Sequence, residues 1–364
     1  MLGDNVKVKL KEEVDNSYDI LIDKGLIDNL ADELKRKPIA NAYAIITDSN
    51  VAKIYGNKLL NGLQSKNIHA HLIAFPAGEK SKTRKTKEKI EDQMLKLAFG
   101  RDACIIALGG GVVGDVAGFV AATYMRGIPY IQIPTSLLAM VDSSIGGKVA
   151  VDTLNAKNAI GAFYQPKKVI IDINFLKTLP RKELVNGFAE IIKHALIKDK
   201  DFFHFLEKSS DKILNCNSEI LKQTIKRSCE IKAEIIMQDE KEKGLRKILN
   251  YGHTIGHAIE TALNYKISHG NAIAIGMSYA AKLSAKLGFL HEGSVIRRNN
   301  LLEHIGLPHK LSHHKLNTRK ILEHIQLDKK ILNGKINFVL LISIGDAFVS
   351  DNITLEDIKD ILGE

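Results

Sequence analysis

Residues Cys104–Lys148 read CIIALGGGVVGDVAGFVAATYMRGIPYIQIPTSLLAMVDSSIGGK, and the fold turns on how they are interpreted. The apolar run Cys104–Leu108 has the unbroken hydrophobicity of a strand buried on both faces. Gly109, Gly110, Gly111 and Gly114 stand where that strand would turn into a helix beginning near Val112. Formally the spacing is GxGxxG. Missing side chains let the backbone approach a pyrophosphate, and the free N–H groups of a helix start favour its charge. The acidic residue expected about twenty positions downstream is absent, since PYIQIPT occupies that interval. A candidate lies upstream instead, where AYAIITDSN ends at Asp48 and Asn50. From the residues alone two readings stay open: a dinucleotide cradle, or glycines that only permit tight packing of strand against helix.

Working outward, YDILID, YAIITD, HLIAFP, CIIALGG, YIQIPT and VIIDI alternate with helical patterns up to about Pro180. That alternation predicts an α/β amino-terminal nucleotide-binding domain, residues 1–180, with a mostly parallel, Rossmann-like sheet. From Arg181 the pattern turns helical. KELVNGFAEIIKHALIK, EILKQTIKRSCEIKAEIIMQ, TIGHAIETALN and NAIAIGMSYAAKLSAKLGF carry apolar residues at three- and four-residue spacing. A mainly α-helical carboxy-terminal metal-binding domain, residues 181–364, follows, with KINFVLLIS as a late hairpin or a strand that crosses back. Ligand sites favour the carboxyl ends of parallel strands and domain interfaces, so the site is expected in the cleft between the two.

At 364 residues the chain exceeds one typical core. No apolar stretch reaches the ~18–20 residues a bilayer span needs, and MLGDNVKVKLKEEVD is no signal peptide, so a cytoplasmic protein without membrane partners is expected. Cys104, Cys216 and Cys229 are far apart and read as reduced thiols. The net charge of +10 suits an anionic partner. Its lysines are interleaved with acids, as in SKTRKTKEKIEDQMLKLAF, which is the pattern of a solvated helix face. No basic stripe interleaved with aromatics and no zinc-finger spacing supports nucleic acid.

In LRKILNYGHTIGHAIE, His253 and His257 share one helical face and Glu260 lies three positions further on. Spacing alone pairs His253 with His257 as a chelate. The zinc-protease pattern is excluded, because no Glu follows the first histidine. His269 stands at a loop-to-helix transition, and Glu190 lies in GFAEIIKHAL one turn before Lys193. A carboxylate and two imidazoles leave a coordination position open for substrate, which is a catalytic layout. Cations gather in the same motifs: Lys148 after SSIGG, Arg126, Lys232, Arg246, and Lys329 with Lys330. With the amides Asn158 and Asn250 they suggest a pocket for a phosphorylated, carboxylated small molecule.

Taken together, GGGVVGD, AATYMRG, IPTSLLAMVDSSIGGKVAVD, KNAIGAFYQP, GFAEIIKHA, DEKEKGLRKILNYGHTIGHAIE and SHGNAIAIGM resemble, in order and over nearly the whole chain, the 3-dehydroquinate synthase family of sugar phosphate cyclases. The resemblance implies an NAD- and metal-dependent homodimeric lyase of the shikimate pathway, with Zn²⁺ the leading metal and Co²⁺ an alternative. It implies conversion of 3-deoxy-D-arabino-heptulosonate 7-phosphate to 3-dehydroquinate and phosphate. The steps are transient oxidation, β-elimination, re-reduction, ring opening and aldol closure. Position by position, Glu190, His253 and His269 match the metal ligands, so His257 becomes a substrate and proton-relay residue. Asp142, Lys148, Lys193, Lys232, Arg246 and Asn250 match the grip on the substrate's hydroxyls and carboxylate. Arg126, Asn158 and one of Lys329 and Lys330 match the phosphate grip. Asp48, Asn50, Glu79, Lys82, Gly110, Gly111, Val112, Asp115, Thr135, Ser136, Asp142, Lys148, Phe175 and Thr178 match the NAD contacts.

The chain departs from the family at Asn271, where Glu is usual after His-Gly. An amide supplies no negative charge behind a metal ligand, so altered metal affinity or altered basicity of His269 is expected. Two alternatives share the scaffold. Other sugar phosphate cyclases act on substrates without a carboxylate and would not need Lys232, Arg246, Asn250 and His257. A metal-dependent polyol dehydrogenase of the glycerol dehydrogenase type would not need the SSIGGK loop.

Overall fold

The computed structural model describes residues 15–153, 156–311, 318–327, 331–332 and 335–363. Eleven strands are described: β1 (Asp19–Asp23), β2 (Ala42–Asp48), β3 (His69–Phe75), β4 (Ala103–Gly109), β5 (Tyr130–Pro134), β6 (Lys148–Val151), β7 (Ile160–Phe163), β8 (Lys168–Asp172), β9 (Ile331–Leu332), β10 (Lys335–Ser343) and β11 (Asp346–Ile353). Six of them form one sheet in the order β1-β8-β5-β4-β2-β3. All its pairings are parallel. The Rossmann-like α/β expectation therefore holds.

The apolar run of β4 explains its central place. Every residue of Ala103–Gly109 is buried, with β2 on one side and β5 on the other. Fully burying one Ile or Leu contributes roughly 1.5–3 kcal/mol, so this strand anchors the sheet. From β2 the chain moves to β3 on one side, and from β4 to β5 on the other. Their carboxyl ends thus flank the point where strand order reverses, the usual ligand crevice of doubly wound sheets. Thr47 is level with Leu108, so Asp48 ends β2 beside Gly109.

The helix Arg181–Lys198 is the axis of the second half, with every residue from Asn186 to Ile197 buried. A helix buried almost all round lies inside a bundle, and this one carries the polar Glu190, Lys193 and His194 into it. Helices Ser218–Gln238, His253–Ala262 and His269–Lys286 are also present, and β10 forms an antiparallel hairpin with β11, as KINFVLLIS suggested. One apolar core runs from Leu30 to Leu362, so the two halves are packed on each other. The antiparallel pair β6–β7 was not anticipated from the sequence. Among the described residues no helix is long and apolar enough to cross a membrane, and all three cysteines are free.

Candidate active site

The nucleotide wall is built at the switch point. Helix Gly111–Thr123 starts from Gly110, which has no side chain to cap it. By contrast, Thr83, Asp199 and Asn217 cap the helices that follow them. The first-turn N–H groups after Gly110 are thus left for an anion, which fits a pyrophosphate. A Cβ on Gly110 would come within 3.4 Å of Ser136 Oγ, and one on Gly111 within 3.0 Å of Ser143 Oγ. Gly114 and Gly118 serve the other reading. A Cβ there would meet Gln132 at 2.8 Å and Val149 at 2.4 Å, so these two permit close packing.

Asp48 accepts the Asn50 and Val51 N–H groups at 2.8 and 3.1 Å, which fixes its carboxylate at the sheet edge. Thr135 N–H donates to Gly109 O at 2.9 Å and draws the Thr135–Ser136 loop to the cradle, where Val112 is half-buried. Lys82 is buried, in ionic contact with Asp115, and donates to Asn158 Oδ1 at 2.5 Å. Burial pushes Asp115 up to about 6 even though Lys82 opposes it. Glu79 pairs with Lys157 at 3.0 Å. Phe175 lies in the core with its ring edge-on to Tyr55, and Thr178 is bonded to the Tyr55 hydroxyl at 2.6 Å. Phe175 therefore presents no exposed side chain to a cofactor.

The metal wall comes from three helices. Gly252, at φ 77°, starts the helix of His253, and a Cβ on Gly276 would sit 2.0 Å from Gly252 O. Only glycine allows so close a crossing, which sets His253 beside the helix of His269. Gly270 N–H donates to Asn186 Oδ1 at 2.6 Å and ties His269 to the helix of Glu190. The donor atoms of Glu190, His253 and His269 all lie within 4.8 Å of one another. His253 Nε2 is 3.6 Å and His269 Nε2 3.5 Å from Glu190 Oε1. Two ligands on one tetrahedral Zn²⁺ stand about 3.4 Å apart, given ~2.0–2.1 Å bonds.

Both oxygens of Glu190 are buried without a hydrogen bond, although Lys193 is in ionic contact. An unsatisfied buried carboxylate is costly, and a divalent cation would satisfy it. His253 Nδ1 faces Tyr251 O at 3.1 Å; donating there leaves Nε2 free to ligate. Burial would raise Glu190, but Lys193 and the two imidazoles hold it well below the usual carboxylate range. Burial and Lys193 push His253 down to about 3, so it is a neutral ligand. The pairing of His253 with His257 suggested by spacing is not the one that meets Glu190. His257 instead groups with Glu260 and His269.

Between the walls, Asp142 pairs with Lys232 at 2.6 Å. Arg246 is buried, donates to Gly146 O at 3.1 Å and also to Glu240 O, so it ties the SSIGG loop to the second half. Glu242 was not singled out in the sequence, although it lies within the motif DEKEKGLRKILNYGHTIGHAIE. Its carboxylate contacts Lys148 and accepts from Asn250 Nδ2 at 2.5 Å, bringing these two predicted site residues together. Asn158, at φ 54°, is held by Asp152 and Lys82. Arg126 is exposed at φ 69°, and among the described residues it forms no ion pair with another site residue. Lys329 and Lys330 lie outside the described residues.

With this geometry the comparisons can be read. The 3-dehydroquinate synthase N-terminal family model matches residues 72–186, and the C-terminal one matches residues 187–331. A 3-dehydroquinate synthase of Thermodesulfovibrio yellowstonii is 47% identical over 358 residues, covering 98% of this chain and 99% of the relative. The chain belongs to the 3-dehydroquinate synthase family. Two solved structures share its fold. A 2-epi-5-epi-valiolone synthase from Streptomyces hygroscopicus with NAD⁺ and Zn²⁺ bound has TM-score 0.89 and 29% identity, covering 98% of each chain. A 2-deoxy-scyllo-inosose synthase complexed with carbaglucose-6-phosphate, NAD⁺ and Co²⁺ has TM-score 0.83 and 28% identity, covering 94% of this chain and 95% of that one.

The departure from the 3-dehydroquinate synthase pattern at Asn271 takes a different meaning in three dimensions. Ser268 is the N-cap of helix His269–Lys286, so position 271 is the third helical residue. A Glu there suits a capping box. The carboxylate facing His269 is Glu260, with Oε2 3.4 Å from Nδ1. With Asn at 271, a carboxylate still stands behind His269.

Proposed function

We propose that the protein converts 3-deoxy-D-arabino-heptulosonate 7-phosphate to 3-dehydroquinate and phosphate, a carbon–oxygen lyase reaction of the shikimate pathway, with NAD and a divalent metal. One observation carries this reading: the turn Ala139–Ser143 links both walls. Ser143 lies against Gly111 of the cradle, and Asp142 has a carboxylate oxygen within 4.8 Å of a donor atom of Glu190. Cofactor and metal would therefore serve the same substrate. The 47% identity to a 3-dehydroquinate synthase, against 28–29% to the two cyclases with other products, supports the carboxylated substrate.

When bound, NAD would supply transient oxidation and the metal would polarise the oxygens of the reacting carbons. Glu190, His253 and His269 would hold the metal, and His257 would move protons beside it. Lys232, Arg246, Asn250 and Lys148 would grip the carboxylate and hydroxyls, with Lys193 and Asp142 fixing the ring. Asn158, Arg126 and one of Lys329 and Lys330 would take the phosphate. Asp48, Asn50, Glu79, Lys82, Asp115, Thr135, Ser136 and Thr178 would surround NAD, with Gly110, Gly111 and Val112 offering backbone. Residues 1–180 act as the nucleotide domain and 181–364 as the metal domain of a cytoplasmic homodimer.

The test is phosphate release from the heptulosonate phosphate. The expected result is formation of 3-dehydroquinate, abolished by a chelator and restored by Zn²⁺, with no release from glucose 6-phosphate. Preferential turnover of glucose 6-phosphate would assign the chain to another cyclase reaction.

A further inference from the structure

Glu260 stands on the same helical face as His253 and His257, seven residues beyond the first. It is buried, at 7% exposure, although no lysine or arginine forms an ion pair with it among the described residues. Its Oε2 faces two imidazoles instead, His269 Nδ1 at 3.4 Å and His257 Nε2 at 3.9 Å. The other ring nitrogen of His269 points to Glu190 at 3.5 Å. An imidazole has two nitrogens, and a carboxylate that takes the Nδ1 proton fixes the tautomer in which Nε2 carries the lone pair. His253 obtains the same orientation from a backbone carbonyl, Tyr251 O. Only His269 has it from a charged group.

We propose that Glu260 is the positioning residue of the metal centre. It orients His269 for the metal and steadies His257 from the same oxygen, a task that position 271 does not perform. The proposal rests on the reading of Glu190, His253 and His269 as the ligand set. It adds that metal retention depends on a fourth residue, which touches neither metal nor substrate. Burying a carboxylate without a cationic side chain is unfavourable unless its bonds are satisfied. His269 Nδ1 gives it a hydrogen-bonding partner at 3.4 Å and His257 Nε2 an ionic neighbour at 3.9 Å, which lets an acid occupy this buried place.

The experiment is Zn²⁺ affinity of the full-length protein, measured by competition with a chromophoric chelator, together with the melting temperature of the metal-free form. His269→Ala should lose Zn²⁺, Glu260→Gln should weaken binding by roughly 10- to 100-fold, and Asn271→Glu should leave affinity unchanged. The metal-free melting temperature should stay the same in Glu260→Gln, which separates positioning from a general structural role. Wild-type Zn²⁺ affinity in Glu260→Gln, with His269→Ala defective, would overturn the role of Glu260 alone. Wild-type affinity in His269→Ala would overturn the ligand set beneath it. If Glu260→Gln does not fold, Glu260→Asp decides: withdrawing the carboxylate by one methylene should weaken Zn²⁺ binding, and unaltered affinity would refute the proposal.

Discussion

Both walls of the cleft bury a carboxylate against a lysine, but they differ in how far its hydrogen bonds are satisfied. On the nucleotide side Lys82, Asp115 and Asn158 close on one another, so the ions are paired within the protein. On the metal side Glu190 is more deeply buried and is also in ionic contact with Lys193, yet neither of its oxygens has a hydrogen bond, and the imidazoles beside it stand at ligand spacing. A satisfied network fixes local structure, whereas an unsatisfied one marks where a ligand does the satisfying. The cradle therefore works through backbone and the metal wall through side chains.

The largest effect that would break this contrast is on the metal side. Glu190→Gln should abolish metal binding and lower turnover by about three orders of magnitude, corresponding to the several kcal/mol of charge stabilisation a metal supplies. Metal analysis with a turnover assay checks it, and retained metal would place the ligand elsewhere. Next is the bridge between the walls. Arg246→Ala should raise KM by roughly 10- to 150-fold, the equivalent of a charge-assisted hydrogen bond of about 1.5–3 kcal/mol, with kcat changing less. An unchanged KM would remove Arg246 from substrate binding.

Within the cradle, two glycines should separate packing from ligand contact. Gly118→Ala places a Cβ 2.4 Å from Val149 Cγ1, so denaturant unfolding should show a loss of about 1–3 kcal/mol with unaltered NAD affinity. Gly110→Ala meets only an ordinary 3.4 Å contact; its main effect should be weaker NAD binding. Equal effects of both on NAD would erase the distinction.

The last effect is absent at neutral pH and grows only in acid. Burial, aided by Lys193, pushes His194 down to about 3 from its ordinary 6.5. Between those values the unfolded chain holds a proton that the folded one refuses. Stability from this group is full above pH 6.5 and is lost as pH falls towards 3, by about 1.4 kcal/mol per pH unit. His194→Asn, which keeps an acceptor for the Ser228 hydroxyl now 2.7 Å from Nδ1, should flatten the stability–pH curve by that slope. Parallel curves would show that His194 is not buried neutral.

Legibility followed the same divide. The six main strands and the helix starts were readable because apolar runs and glycines are local signals. The strands β6 and β7 escaped notice because four residues each, KVAV and IGAF, are too short for a period to register. The glycines permitted both open readings, and the structure assigns Gly110 and Gly111 to the open helix start, Gly114 and Gly118 to packing. Spacing favoured His253 with His257 because it sees one helix, while the meeting of His253 with His269 depends on a crossing between two. Glu242 was not singled out, and Glu260 was placed beside His253 and His257 without its contact to His269, for a related reason. Their partners lie 94 residues away at Lys148 and nine residues away across a helix junction at His269.

The central claim is that both walls serve one substrate, with the cofactor returned within each turnover. The most direct measurement follows phosphate release and NADH absorbance together, with NAD⁺ far below the heptulosonate phosphate. The account predicts phosphate in large excess over the NAD⁺ supplied, with no accumulation of NADH. One NADH formed per substrate consumed would contradict it and make the protein a dehydrogenase.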